Sequence, residues 1–168
     1  MAAQIIEVAP ALDIEPLTDI ALKETNVKGG ILLVERQFGY LEFHSRSTSA
    51  VKVAAEAVLR ELKVTASGAM RPKILASKIV TRVDALHAFL INRNKLGSMI
   101  LSGETLFVLE TEPAAYAILA CNEAEKAANI KIVDYRMVGA TGRLYLSGSE
   151  SEVYAAASAA CDALELVA

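Results

Sequence analysis

The chain has 168 residues, with 17 Lys and Arg against 20 Asp and Glu and a net charge of −3. Apolar residues reach 54% and aromatic ones only 5%, with no Trp, so a core built from small aliphatic side chains is expected and a disordered chain is excluded. The length fits one large domain or two of about 80 residues, and an Ala-rich chain of this kind completes its burial readily in an oligomer.

Mild acidity without a Lys/Arg run argues against nucleic acid as a partner. The longest uncharged stretches, such as Pro113 to Asn122 and Val153 to Cys161, fall well short of the roughly 20 apolar residues that span a membrane. The first residues lack the basic flank of a signal peptide and bring Glu7, Asp13 and Glu15 early. Cys121 and Cys161 are too few for a disulfide framework, which points to a reducing compartment and the cytoplasm.

In chain order, residues 4–9 read as a strand. A helix follows over about 13–25, with Pro16 in its first turn, where a missing N–H costs nothing. Asn26 then suits a left-handed helix end. A strand at 28–36, a turn at 37–39 and a strand at 40–45 lead into an Ala-rich helix at 48–62. Residues 64–71 form a loop, 73–82 a further strand and 84–92 a short helix, and 92–103 is a connecting loop. The pattern then repeats: a strand at 105–110, a helix at 113–128 ending near Asn129, strands at 130–137 and 143–147 around a turn at 138–142, and a helix at 150–164. Ser149 and Glu152 have the spacing of a capping box at the start of that helix.

The repetition is explicit in the residues. Glu7, Pro10 and Ala11 return as Glu110, Pro113 and Ala114; Ala21, Lys23, Asn26 and Lys28 return as Ala124, Lys126, Asn129 and Lys131. Gly39, Leu41 and Ala54 return as Gly142, Leu144 and Ala157 in the same ungapped register. A duplication follows. The order β-α-β-β-α in each copy predicts an α+β architecture, an antiparallel sheet with helices on one face. The expected division is a first domain over 1–92, a linker over 93–104, and a second domain over 105–168 that lacks a final strand.

Few residues offer chemistry. His44 and His87 lack metal-ligand spacing to a Cys, an Asp or each other. Cys121 and Cys161 sit in Ala-rich helices as small hydrophobes. No Ser/His/Asp set, Cys/His pair or carboxylate pair appears in a catalytic frame, so no enzyme activity, metal or cofactor is expected. Gly139, Ala140, Thr141 and Gly142 are too short a run for a dinucleotide fingerprint and lie between two strands.

The second copy resembles a bacterial microcompartment shell domain. The residues that carry the likeness are Glu110-Thr111, the helix end Glu125-Lys126-Ala127-Ala128-Asn129-Ile130-Lys131, the Gly turn, Leu144-Tyr145-Leu146-Ser147-Gly148, and Val153 to Cys161. The first copy is similar but more diverged, with Lys23-Glu24-Thr25-Asn26-Val27 at the matching place. Of the family's Pro-Arg-Pro strand end, Thr81-Arg82-Val83 keeps only the Arg. The resemblance implies two tandem ferredoxin-like shell domains in a chain that forms a homotrimer, a pseudo-hexagonal tile, and assembles with other shell proteins around enzymes.

It also implies that the turns between the second and third strands line a central pore for small polar metabolites. These are Arg36, Gln37, Phe38 and Gly39 in one copy and Gly139, Ala140, Thr141 and Gly142 in the other. Three Arg36 side chains about 8 Å apart would repel by about 1 kcal/mol per pair at an effective dielectric near about 40, which a bound anion reverses. Lys23, Asn26, Lys126 and Asn129, with Arg82, would lie at the tile edge. Some tandem shell proteins hold an iron–sulfur cluster on pore cysteines, and neither turn here contains Cys. A ligand-binding regulator made of two ferredoxin-like units is the alternative reading.

Overall fold

The computed structural model describes all residues from Met1 to Ala168 and divides into two compact units, Met1–Met70 and Arg71–Ala168. The first holds β1 (Ala2–Val8), α1 (Ile14–Glu24), β2 (Lys28–Glu35), β3 (Phe38–Ser45) and α2 (Thr48–Glu61). Its sheet has the order β1-β3-β2, antiparallel throughout. Leu41 and Phe43 of β3 turn to one face and meet Ile14, Leu17 and Ala21 of α1 and Val51, Ala54 and Val58 of α2. Alternation along the strand sends Tyr40, Glu42 and His44 to the other face. Ser47 caps α2, its side chain accepting from the Ala50 amide.

The second unit holds β4 (Lys73–Val80), α3 (Ala85–Asn92), β5 (Thr105–Glu112), α4 (Tyr116–Ala127), β6 (Lys131–Arg136), β7 (Gly142–Gly148) and α5 (Glu150–Val167). Its sheet runs β4-β5-β7-β6. Phe107, Leu109, Leu144 and Leu146 form one face, sealed by Ala120 and Ala124 of α4 and by Val153, Ala156 and Ala160 of α5. The Ala residues bring these helices close to the sheet at little side-chain entropy cost. Leu106, Val108, Val133 and Tyr145 form the opposite face, under Val83, Ala88, Ile91 and Ile100.

The strand at 73–80 is where the structure departs from the expected domain limits. It pairs with β5, Val80 opposite Leu106 and Lys73 opposite Glu112, and so opens the second unit instead of closing the first. Residues 93–104 are part of that unit too. The Val83 amide donates to the Glu104 carbonyl and the Gly103 amide to the Val83 carbonyl, while Asn92 bonds the Ile100 backbone in both directions. The second unit therefore has its edge strand, supplied ahead of the repeat rather than after it. Alternation alone identifies a strand but not its partner, because β1 and β5 offer equivalent edges.

Local capping differs from expectation as well. Asn26 and Asn129 are not left-handed; the positive-φ residues other than Gly are Arg36, Lys63 and Arg82. Both helices stop on extended residues, Thr25 and Ala128. Ser149 makes no capping bond, and Glu152 reaches across to accept from the Asn129 amide at 2.8 Å. The carboxylate thus anchors the α4 end to α5 instead of closing its own helix. Pro113 precedes α4 in a turn with a cis bond to Glu112, as Pro10 does with Ala9.

Candidate functional site

The two hairpin tips differ in how tightly they are held. In the first unit the tip is Glu35-Arg36-Gln37, between β2 and β3. Arg36 adopts φ 55°, and its side chain is 91% exposed, with Glu35 at 3.7 Å. Gln37 is exposed and Phe38 half-buried at the start of β3. A surface pair this open and this long adds little rigidity.

In the second unit the tip spans residues 137–141. Thr141 Oγ1 donates to Glu110 Oε1 at 2.7 Å, and Arg143 Nε approaches the same oxygen at 3.4 Å. The Thr141 hydroxyl, with Arg143 beside it, holds the Glu110 carboxyl below the usual range. Gly139, at φ 114°, supplies the left-handed position the turn needs and has open space around it. Ala140 is exposed.

Gly39 and Gly142 have a different task. Both are buried strand residues. A Cβ on Gly39 would lie 2.2 Å from the Ala11 carbonyl oxygen, and one on Gly142 2.1 Å from that of Ala114. They let the segments that follow the paired strands β1 and β5 pass directly over the sheet, and as buried residues they present no side of the tip to solvent. Sequence spacing grouped them with the tips because a glycine that admits a neighbouring backbone looks the same as one that makes a turn.

The helix-end residues are exposed and locally paired. Lys23 meets Asp19 at 2.6 Å and Lys126 meets Glu123 at 2.8 Å, each within its own helix. Asn26 and Asn129 are exposed, and the Asn26 carbonyl accepts from the Ser45 hydroxyl. Arg82 is exposed at φ 50°.

Sequence reasoning missed a third polar cluster, which ties residues 99–104 to β6. Lys131 Nζ lies 2.7 Å from Glu104 Oε2 and 2.9 Å from the Met99 carbonyl, and the same carboxylate accepts from the Leu101 amide. Partial burial works to raise the Glu104 pKa, but the Leu101 amide and Lys131 outweigh it and the net shift is downward. Lys131 repeats Lys28, which was the available signal; at the repeat spacing Glu104 falls opposite Met1, so the carboxylate itself is not repeated. His44 Nδ1 sits 3.0 Å from Glu42 Oε1 on the outer face of the first sheet, and His87 is exposed. Burial and the nearby Glu125 push the Cys121 thiol up to about 11. No three His, Cys, Asp or Glu side chains gather in a metal-binding group.

Two copies of one β-α-β-β-α unit, each offering an exposed hairpin tip and a charged helix end, define a duplicated building block. Residues 1–68 match the CsoS1D N-terminal domain and residues 105–168 match the BMC domain. The chain is 46% identical over 160 residues to the carboxysome shell protein CcmP of Synechococcus elongatus, covering 95% of this chain and 75% of that protein. It is 45% identical to the carboxysome shell protein CsoS1D of Hydrogenovibrio crunogenus, over 95% and 78%. Among solved structures, the fused permuted hexameric shell protein MSM0275 from the RMM microcompartment superposes with a TM-score of 0.96 at 66% identity, over 99% of this chain and 82% of that one. The double ringed trimeric shell protein MSM0271 from the same microcompartment gives 0.93 at 45% identity, over 97% and 82%.

The chain belongs to the BMC-domain shell protein family that includes CcmP and CsoS1D, and its role is structural, as a component of a microcompartment shell.

Proposed function

We propose that three copies of the chain close into a pseudo-hexagonal tile without catalytic activity, whose central opening passes small polar or anionic metabolites. The observation that carries this reading is the contrast of the two tips. Three Arg36 side chains, unpinned and exposed, would alternate around one axis with three tips pinned by Glu110. The opening is then three-fold, positively lined and adjustable on one set of tips only. Selection would follow from width, charge and backbone donors. Lys23, Lys126, Asn26, Asn129 and Arg82 would face neighbouring tiles, where a long apolar stem can pack while its charged head reaches a carbonyl.

The trimeric state of MSM0271 supports the assembly. Two domains per chain with three chains give closed cyclic symmetry, the usual outcome for homo-oligomers. The test is native mass spectrometry together with electron microscopy of Lys23→Asp and Lys126→Asp. The expected result is a trimer in every case, hexagonal sheets for the parent, and loss of sheets for both variants. A monomer or dimer would instead favour the ligand-binding regulator, and unimpaired sheets would reduce the two Lys residues to helix-end charges.

A further inference from the structure

One row across the outer face of the second sheet sets two like charges side by side. Arg136 of β6 stands directly opposite Arg143 of β7, and Glu110 of β5 pairs with Arg143 from the other side. Like charges directly opposite each other destabilise a sheet. The neighbouring row, Val108 and Tyr145, packs against the cluster under Val83, Ala88 and Ile100. The arginine row lies one step nearer the hairpin tip and is open to solvent, with the Arg136 and Arg143 side chains 52% and 57% exposed.

Each guanidinium is held from beneath by a carboxylate. Arg136 Nε lies 3.4 Å from Asp134 Oδ2, and Arg143 Nε lies 3.4 Å from Glu110 Oε1. The carboxylates are the more enclosed partners, at 14% and 34% exposure, and Glu110 takes its shorter bond from Thr141. Asp134 Oδ1 is buried without a hydrogen-bond partner, so the counter-charge of Arg136 is needed where it stands. Both contacts spend Nε, which leaves the terminal nitrogens of both forks without a partner in the chain. The four charges cancel in sum but are layered, negative below and positive outermost. In the first unit the same two places hold Leu33 and Tyr40, so the pair belongs to the second unit alone.

We propose that Arg136 and Arg143 form a binding site for a tetrahedral oxyanion, the phosphate or sulfate group of a small molecule. One guanidinium fork matches the two oxygens of a carboxylate. Two forks on directly opposed strands, with Cβ atoms about 5 Å apart, match an anion that offers oxygens to both. Such an anion converts the repulsion across the row into two charge-assisted pairs. The site lies wholly within the second unit and needs neither the trimer nor the pore.

The test is the phosphorus NMR line width of inorganic phosphate mixed with the full chain at constant ionic strength. The parent is expected to broaden the line. Arg136→Gln and Arg143→Gln should each cut that broadening at least fivefold, and Arg93→Gln, an exposed arginine elsewhere in the unit, should leave it unchanged. Arg136→Gln leaves the bond between Thr141 and Glu110 in place, so its effect is separate from loosening of the tip. Sulfate should displace the phosphate, and acetate at equal concentration should not. No broadening by the parent, or equal broadening by Arg136→Gln and the parent, overturns the proposal. So does displacement by acetate as effective as that by sulfate. Loss in Arg36→Gln with both other arginines dispensable would also overturn it, by moving the anion to the first hairpin tip while sparing the pore reading.

Discussion

Gly30 and Val133 occupy the same place in the two copies, each at the bulge of an edge strand, and they show how one pattern supports two surfaces. Val133 is fully buried because residues 81–100 fold over it. Gly30 is exposed, and the side chain of Glu42 leans over it toward His44. The helix-facing cores are near copies: Leu41 and Leu144, Ala54 and Ala157, Ala21 and Ala124 are all buried. Duplication has thus kept the face that folds each unit and released the outer face and the hairpin tips.

The comparison breaks first at the shared glycines. Gly142→Val would drive Cβ into the Ala114 carbonyl, a backbone atom that cannot move without lifting the start of α4. The expected loss is about 3 kcal/mol or more, read by urea unfolding, with a similar loss for Gly39→Val. Little change in either would mean that the Pro10 and Pro113 turns are looser than their geometry requires.

The bulge pair comes next and should respond asymmetrically. Val133→Ala opens a void in a sealed cluster and is expected to cost about 2 kcal/mol. Gly30→Ala meets the flexible end of Glu42 and, at 3.4 Å, His44 Nδ1 and should cost under about 1 kcal/mol. Equal costs would show the outer faces to be alike after all.

Smaller effects concern the tethers. Thr141→Val removes the hydroxyl that fixes the second tip; amide exchange at residues 137–141 should rise several-fold while the 35–38 tip stays as fast as before. The Glu104 tether sets an acid limit. Its folded pKa lies below the ordinary value, so its stabilisation is present above about pH 4.5 and fades as pH falls through the lowered folded value. Loosening of residues 97–104 as pH falls through that lowered value, absent in Glu104→Gln, is the expected signature. Cys121, with its thiol pushed up to about 11, should resist iodoacetamide at neutral pH until the unit unfolds.

Much of this was legible in the sequence. The elements β1 to β3 and β5 to β7 with their helices follow from alternation, Ala-rich helical runs and a register that holds through Pro10/Pro113 and Gly39/Gly142. The partner of β4 was not legible, because pairing is a long-range choice between two similar edges, settled by the return of 93–104 to β5. The roles of Gly39, Gly142, Asn26 and Glu152 were also hidden. Each depends on which backbone or side chain arrives from elsewhere, and local rules for turns and caps do not contain that information. The tips at Arg36 and Thr141 were found by order alone, and their difference in tethering emerges only from Glu110.

The central claim is that the two kinds of tip meet around one three-fold axis. Electron cryomicroscopy of the assembled protein tests it most directly. The account predicts a closed ring of three chains with Arg36 and Ala140 alternating next to the axis and the 35–38 tips more mobile than the 137–141 tips. Tips at the periphery, or a ring of any other number of chains, would contradict it.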